Sequence, residues 1–259
     1  SFIILWLYLR VRLINLTMKF SLNIDDYSAR AFGLNTKEQF SSLAFGEIET
    51  DNKAPNLNPA NIPMMTARRL SMGCRMAVDI GLELIKAHDD IDAVIYSSAT
   101  GEEEHNYKVL ESAAKGVDCS PTDFSMSVHN TAVGNFTILS KKKIPSSSVS
   151  AGIDSFLMAL TDAYVMLSSG YKKILVVDYN VSIPPFFKNY LKKDFPDYPY
   201  SVGLVVSKGD DFEFTTSKLN QNSDHLFPVS LNFLLSLIKK ENVTLKGERL
   251  LWEVTNKHE

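Results

Sequence analysis

The sequence predicts an α/β protein built around a buried helix flanked by two buried strands. Three observations carry that expectation. The stretch Pro145–Asn180 (PSSSVSAGIDSFLMALTDAYVMLSSGYKKILVVDYN) reads as strand, helix, strand. Its helix, Phe156–Leu167, is apolar almost all the way round, with Thr161 and Asp162 the main polar breaks, so it has no face suited to water. Further short apolar runs, Ile91–Tyr96 (IDAVIY) and Tyr200–Ser207 (YSVGLVVS), have the length and β-branched content of buried strands.

Within the central unit, Ser148–Ala151 is the entering strand and Gly152 turns the chain. Asp154 or Ser155 is placed to cap the helix, and Gly170 to stop it. Lys172-Lys173 then leads into the strand ILVV.

Taking the rest in order, Met18–Ile24 alternates and reads as a first strand, and the segment from Asp25 to Phe45 as short and partly helical, with Thr36 an N-cap for KEQFSSLAF. Asp51–Pro63 is loop by its Asn and Pro content. Thr66–Ala87 has helical spacing of Leu70, Met76, Ala77, Ile80 and Leu84. Tyr107–Ala114 is a short helix, and a turn at Cys119–Pro121 leads to a further turn and helix. Pro184-Pro185 excludes a helix interior. Tyr200–Ser207 and Asp211–Thr215 pair as a hairpin across Lys208–Asp210, Leu226–Lys239 is an amphipathic helix, and Leu250–Val254 a last strand.

The composition sets bounds. The 259 residues suffice for one large domain, and 45% hydrophobic with 22% charged residues is ordinary for a globular protein. A net charge of -3 argues against a nucleic-acid binder. Cys74 and Cys119 are too few for a disulfide framework and lack partners at zinc-ligand spacing; both read as structural, suiting a reducing, cytoplasmic compartment with no metal. The apolar run before Arg10 and Arg12 is about half of the ~20 residues a membrane span needs, and these arginines follow it, the reverse of a signal peptide. Residues 1–17 therefore read as an upstream or non-native extension, with a short interfacial anchor the alternative, and 18–259 as one domain.

Two adjacent segments resemble the N-terminal half of β-ketoacyl synthases. The first is Ser120-Pro121 through Asn130-Thr131-Ala132-Val133-Gly134; the second runs from Pro145-Ser146 to Gly170. Laid on the family pattern without a gap, the nucleophilic Cys falls on Ile153, the Ser after it is kept as Ser155, and the next Gly becomes Phe156. RRLSMGCRMAVDIG (68–81), SSATGE (97–102), SPTDFSMSVHN (120–130) and SAGIDSFLMAL (150–160) look more specifically like short chain-length-factor proteins of aryl polyene and related type II polyketide pathways.

The resemblance implies half of a thiolase-like fold: a mixed sheet, covering helices and the central buried helix. It also implies a non-catalytic subunit that heterodimerises with a full-length ketosynthase, with acyl carrier protein nearby and no cofactor. The segment Ser147–Ala151 would pair with the partner's strand, and Phe124–Asn130 would face its acyl channel. The implied pocket and interface residues are Phe124, Ser125, Ser127, His129, Asn130, Ser150, Gly152, Asp154, Ser155 and Phe156. A ketosynthase needs a thiolate at a helix N-terminus and two basic partners. Ile153 has no lone pair, and no His-Gly-Thr, Lys-before-Gly-His or Asn-Phe-Gly-Phe-Gly sequence follows Asn180; His225 and His258 sit in unrelated contexts.

Other chemistries are weaker. His129 reads first as a hydrogen-bonded histidine fixing a turn, and second as the base of an autonomous thioester-processing enzyme. Ser97, Ser98, His105 and Glu102–Glu104 read as loop polarity rather than a hydrolytic set, since no GxSxG elbow exists. GxGxxG and Walker sequences are also absent. Lys141–Lys143 and Lys172-Lys173 read as solvated, with a scaffold binding acyl carrier protein as the alternative.

Overall fold

The computed structural model describes residues 17–50, 61–191, 195–196, 198–219 and 228–257. Arg10, Arg12, most of the 51–63 loop, His225 and His258 lie outside the described residues. In chain order the elements are β1 (Lys19–Arg30), α1 (Lys37–Ala44), α2 (Met64–Ala67), α3 (Met72–Ala87), β2 (Ala93–Ser97), α4 (Glu103–Ala114), α5 (Pro121–Met126), α6 (Thr131–Ser140), β3 (Ser146–Val149), α7 (Ser155–Ser168), β4 (Lys173–Asn180), α8 (Pro185–Lys188), β5 (Tyr200–Lys218), α9 (Val229–Lys239), β6 (Val243–Lys246) and β7 (Leu250–Asn256).

The strands form one seven-stranded sheet in the order β3-β2-β4-β5-β7-β6, with β1 also paired to β5. The pairs β2–β3 and β2–β4 are parallel, and the others are antiparallel. This is the mixed sheet expected. Both faces are covered, so strand residues alternate between two cores. Ala93, Ile95, Ile174, Val176, Val202 and Leu204 pack with α7, α9 and Phe40 of α1. Val94, Tyr96, Leu175, Val177 and Val205 pack with α3 and α6.

α7 is the helix foreseen, although it has an exposed side where the sequence promised none. Leu157, Ala159, Leu160 and Ala163 are wholly buried against the sheet and α9, while Asp162 and Val165 lie on the side that faces away. Gly170, at φ 112, ends it as expected. Thr36 caps α1 in a full capping box with Gln39. No described helix is long and apolar enough to cross a membrane.

Several expectations need correction. The entering strand, β3, lies at Ser146–Val149, two residues before the expected Ser148–Ala151, and the helix α5 stands where a turn was expected. β1 continues through Arg30, because the polar residues after Ile24 find partners. Arg30 is buried and donates to Asp79 and Glu83 of α3, and Ser28 donates to Glu83. The predicted helix at 66–87 is broken into α2 and α3; Ser71 leaves the helical path to accept from Cys74 N and so starts α3 afresh. α4 begins four residues earlier than predicted, at Glu103 rather than Tyr107.

The hairpin across Lys208–Asp210 does not exist. β5 runs unbroken for 19 residues, and β1 follows it through a register shift that matches Leu22 with Phe212 and Asn23 with Ser207. Asn23 Oδ1 accepts from Asp211 N at 3.2 Å, and Gly209 lies so near it that a Cβ there would come within 1.8 Å of Oδ1. A side-chain amide thus completes the irregular pairing, and the chain needs no turn.

Candidate functional site

β2, β3 and β4 run parallel, so their C-terminal ends and the start of α7 meet at one edge of the sheet. After β3, Gly152 takes φ +59, a left-handed conformation that a side chain would strain. It delivers Ile153 half-buried, two residues ahead of the first helical residue, Ser155. Asp154 does not cap α7 with its side chain. Its Oδ1 instead accepts from Glu248 N at 3.0 Å, in the β6–β7 turn, where a Cβ on Gly247 would stand 1.9 Å from that oxygen. Ser155 Oγ accepts from Ala151 N at 2.9 Å and lies 2.6 Å from Gly152 O and 3.1 Å from Ser98 O, its acceptors. The expected cap is therefore replaced by a clamp that joins the β3–α7 turn to the end of β2. Ser150 is exposed beside it, and Phe156 is buried against Phe233 of α9.

Ile153, Gly152, Ser155 and Phe156 line a small, partly open cavity with Ala99, Asp178, Phe195, Pro196, Tyr200, Pro228 and Val229. The walls are mostly apolar, and Asp178 is the only ionisable carboxyl among them. It accepts from Ser97 Oγ at 2.7 Å, Ser230 Oγ at 2.6 Å and Tyr200 OH at 3.2 Å. Burial pushes its pKa up to about 6, although the three hydroxyls pull it down. Sequence reasoning missed Asp178, Tyr200 and Ser230. The available signal was a lone carboxylate inside the apolar run ILVVDY, since a buried charge needs partners from elsewhere in the fold.

His129, in the turn between α5 and α6, meets the same Ser98 carbonyl that Ser155 does. Its Nε2 is 3.1 Å from Ser98 O and its Nδ1 2.8 Å from Ser148 Oγ, which is also 3.2 Å from His129 O. A carbonyl only accepts, so Nε2 carries a hydrogen, and in the neutral ring Nδ1 accepts from Ser148. Neither His129 nor Ser148 lines the cavity beside Ile153. Phe124 and Ser125, on α5, are exposed together with Val128 and Asn130, and Ser127 is half-buried. The candidate residues thus fall into two groups, one around the cavity and one along the α5–β3 surface.

The residues weighed as a hydrolytic set are not loop polarity. Ser97, Ser98 and Glu102 are buried and belong to separate networks. Ser97 donates to Asp178, Ser98 Oγ accepts from Gly101 N, and Glu102 accepts from Ser71 Oγ and Tyr179 OH. His105 pairs with Asp123 through Nδ1 at 2.8 Å. Burial raises Glu102 above the usual carboxylate range, and it raises the Cys74 thiol well up, with the Glu102 charge beside it adding to the rise. Cys74 is wholly buried and Cys119 half-buried. No group of His, Cys, Asp and Glu suited to a metal occurs among the described residues. Lys141–Lys143 precedes β3 and Lys173 opens β4, so these lysines sit at the N-terminal ends of the parallel strands. The cavity lies at the other ends, roughly 25 Å away along an eight-residue strand.

The family model described as beta-ketoacyl synthase, N-terminal domain, matches residues 38–254. The chain belongs to the β-ketoacyl synthase N-terminal domain family. A solved structure of the ketosynthase ApeO in complex with its chain length factor ApeC from Xenorhabdus doucetiae contains a similar chain. That chain is 38% identical, and the match covers 92% of this chain and 100% of that one at a TM-score of 0.86. The ishigamide ketosynthase/chain length factor matches at 15% identity over 77% of this chain and 68% of that chain, TM-score 0.63. A β-ketoacyl synthase from Burkholderia phymatum STM815 matches at 14% identity over 86% and 71%, TM-score 0.56. The last two likenesses show the fold alone, and that fold is thiolase-like, as the sequence implied. No curated protein matches by sequence.

Proposed function

We propose that this chain is a non-catalytic, chain-length-factor-like subunit that heterodimerises with an active β-ketoacyl-ACP synthase and shapes its acyl tunnel during polyene, polyketide or fatty-acid-like biosynthesis. The observation that carries the reading is Ile153. It occupies the turn into α7 where the family pattern has its sulfur nucleophile, at the end of a helix dipole that would favour a thiolate. A hydrocarbon there cannot form a thioester. Neither cysteine substitutes, since Cys74 is sealed in the core on α3 and neither Cys74 nor Cys119 lines the cavity beside Ile153.

The resemblance to a chain of the ApeO–ApeC complex supports a heterodimeric role. β3 is an edge strand paired only with β2 among the described residues, so its outer side is free to pair with a partner strand. Phe124 and Val128 are 63% and 48% exposed beside it, an apolar surface suited to an obligate interface of about 2,000 Å² or more. His129 used as a catalytic base has less support because neither it nor Ser148, the hydroxyl it meets, lines the cavity. A carrier-protein scaffold acting through the lysine tracts has less support because they lie far from the cavity.

Co-expression with a full-length β-ketoacyl-ACP synthase that keeps its cysteine and two histidines tests the reading. The expected result is co-purification at one to one, with acyl groups found by mass spectrometry on the partner only. Condensation by the purified chain alone, or a stoichiometric acyl adduct on Cys74 or Cys119, would sink it.

A further inference from the structure

We propose that His129 is a positioning residue for partner binding: through Ser148 it holds the peptide group by which β3 pairs with the ketosynthase strand. The inference rests on the heterodimer reading above and assigns the residue that prepares its central contact.

The argument starts from the ladder. Val94 N donates to Pro145 O and Ser98 N to Val149 O, so the odd-numbered residues of β3 turn their peptide groups toward β2. Strand alternation then aims the peptide groups of Ser146 and Ser148 at the open edge. These are the groups an added strand would meet. An edge strand of four residues bonded on one side only is weakly held, and its outer half is ordered by whatever grips its side chains.

Ser148 is the gripped residue. Its hydroxyl lies 2.8 Å from His129 Nδ1 and 3.2 Å from His129 O. The imidazole is itself fixed at its far side by Ser98 O at 3.1 Å. The loop after β2 closes on the ring as well: a Cβ on Gly101 would stand 3.0 Å from His129 Cδ2. His129 therefore spans from the end of β2 to the outward-facing residue of β3, and the ring sets how far Ser148 is displaced from the sheet. It also sits in the segment that carries Phe124 and Val128, so one residue couples the apolar surface to the strand edge. Preorganising both before the partner arrives lowers the ordering cost of association.

The test uses the complex with the same full-length ketosynthase, and it reads the dissociation constant at 25 °C for variants shown by circular dichroism to be folded. Ser146→Pro removes an outward N–H. His129→Ala and Ser148→Ala each cut the grip while keeping the backbone groups of β3. The expected result is that Ser146→Pro weakens the complex, His129→Ala and Ser148→Ala each weaken it about tenfold, and the double variant is no weaker than either single one. A merely structural histidine would lower the melting temperature of the free chain and leave the dissociation constant unchanged. That outcome, with Ser146→Pro still disruptive, overturns the proposal alone. If His129→Ala fails to fold, Ser148→Ala decides by the same comparison. A wild-type chain that does not bind the ketosynthase overturns instead the heterodimer reading. Where wild type binds, a Ser146→Pro chain that binds equally well leaves the heterodimer standing and overturns the β3 edge together with this proposal.

Discussion

Replacing Asp178 by Asn tests how the cavity floor is built. The carboxyl draws together β2 through Ser97, β5 through Tyr200 and α9 through Ser230, and no cation is among these hydrogen-bond partners. Burial lifts its pKa from 3.8 to about 6. The folded state therefore holds this proton more tightly than the unfolded state. The sign follows: the stabilisation is fully present below pH 3.8 and is lost as pH rises through about 6. A rise of about two pH units corresponds to about 3 kcal/mol, of which about 2 kcal/mol disappears between pH 4.5 and 7.5. Asn carries no charge at either pH, and the three hydroxyls can rotate to accept from its amide. Urea unfolding of both proteins at the two pH values is the assay. The stability of wild type minus that of Asp178→Asn is expected to fall by about 2 kcal/mol as pH rises. Carboxylates elsewhere titrate alike in both proteins and cancel in the difference. A difference that stays constant within 0.5 kcal/mol or so would show that the carboxyl is not desolvated as the geometry requires.

Three further outcomes are expected. Gly73→Ala should cost roughly 2–3 kcal/mol in urea unfolding, since its Cβ would stand 2.0 Å from Asn180 O where α3 crosses the end of β4; a neutral effect would mean the two elements part easily. Phe124→Asp should leave the free chain's stability within about 0.5 kcal/mol, because the ring is 63% exposed, yet abolish co-purification with the ketosynthase; retained pull-down would remove α5 from the interface. Iodoacetamide followed by mass spectrometry at pH 8 should modify Cys119 in the folded chain and Cys74 only after unfolding, because the Cys74 thiol is buried and its pKa is raised; early modification of Cys74 would contradict the sealed core.

Much of the fold was legible because its signals are local. The Thr36 cap of α1, the Gly170 stop and the apolar runs of β2, β4 and α7 all act within a few residues of themselves. The break at Ser71 and the continuity of β5 were not legible. The first depends on a serine hydroxyl that competes with helical geometry, and the second on Asn23, which lies almost two hundred residues before the irregular pairing it completes. Arg30 and Ser28 misled for the same reason: their polarity signalled a loop until Asp79 and Glu83 arrived from another element.

By itself the sequence determined the layered α/β core, because short-range periodicity suffices for it. Only the tertiary structure decided that Ser97, Asp178, Tyr200 and Ser230 meet below one cavity, that Asp154 serves the β6–β7 turn, and that His129 ties Ser98 to Ser148. Those contacts join segments far apart in the chain, and a hydrogen bond over a few ångströms leaves no trace in the spacing of residues that folding alone brings together.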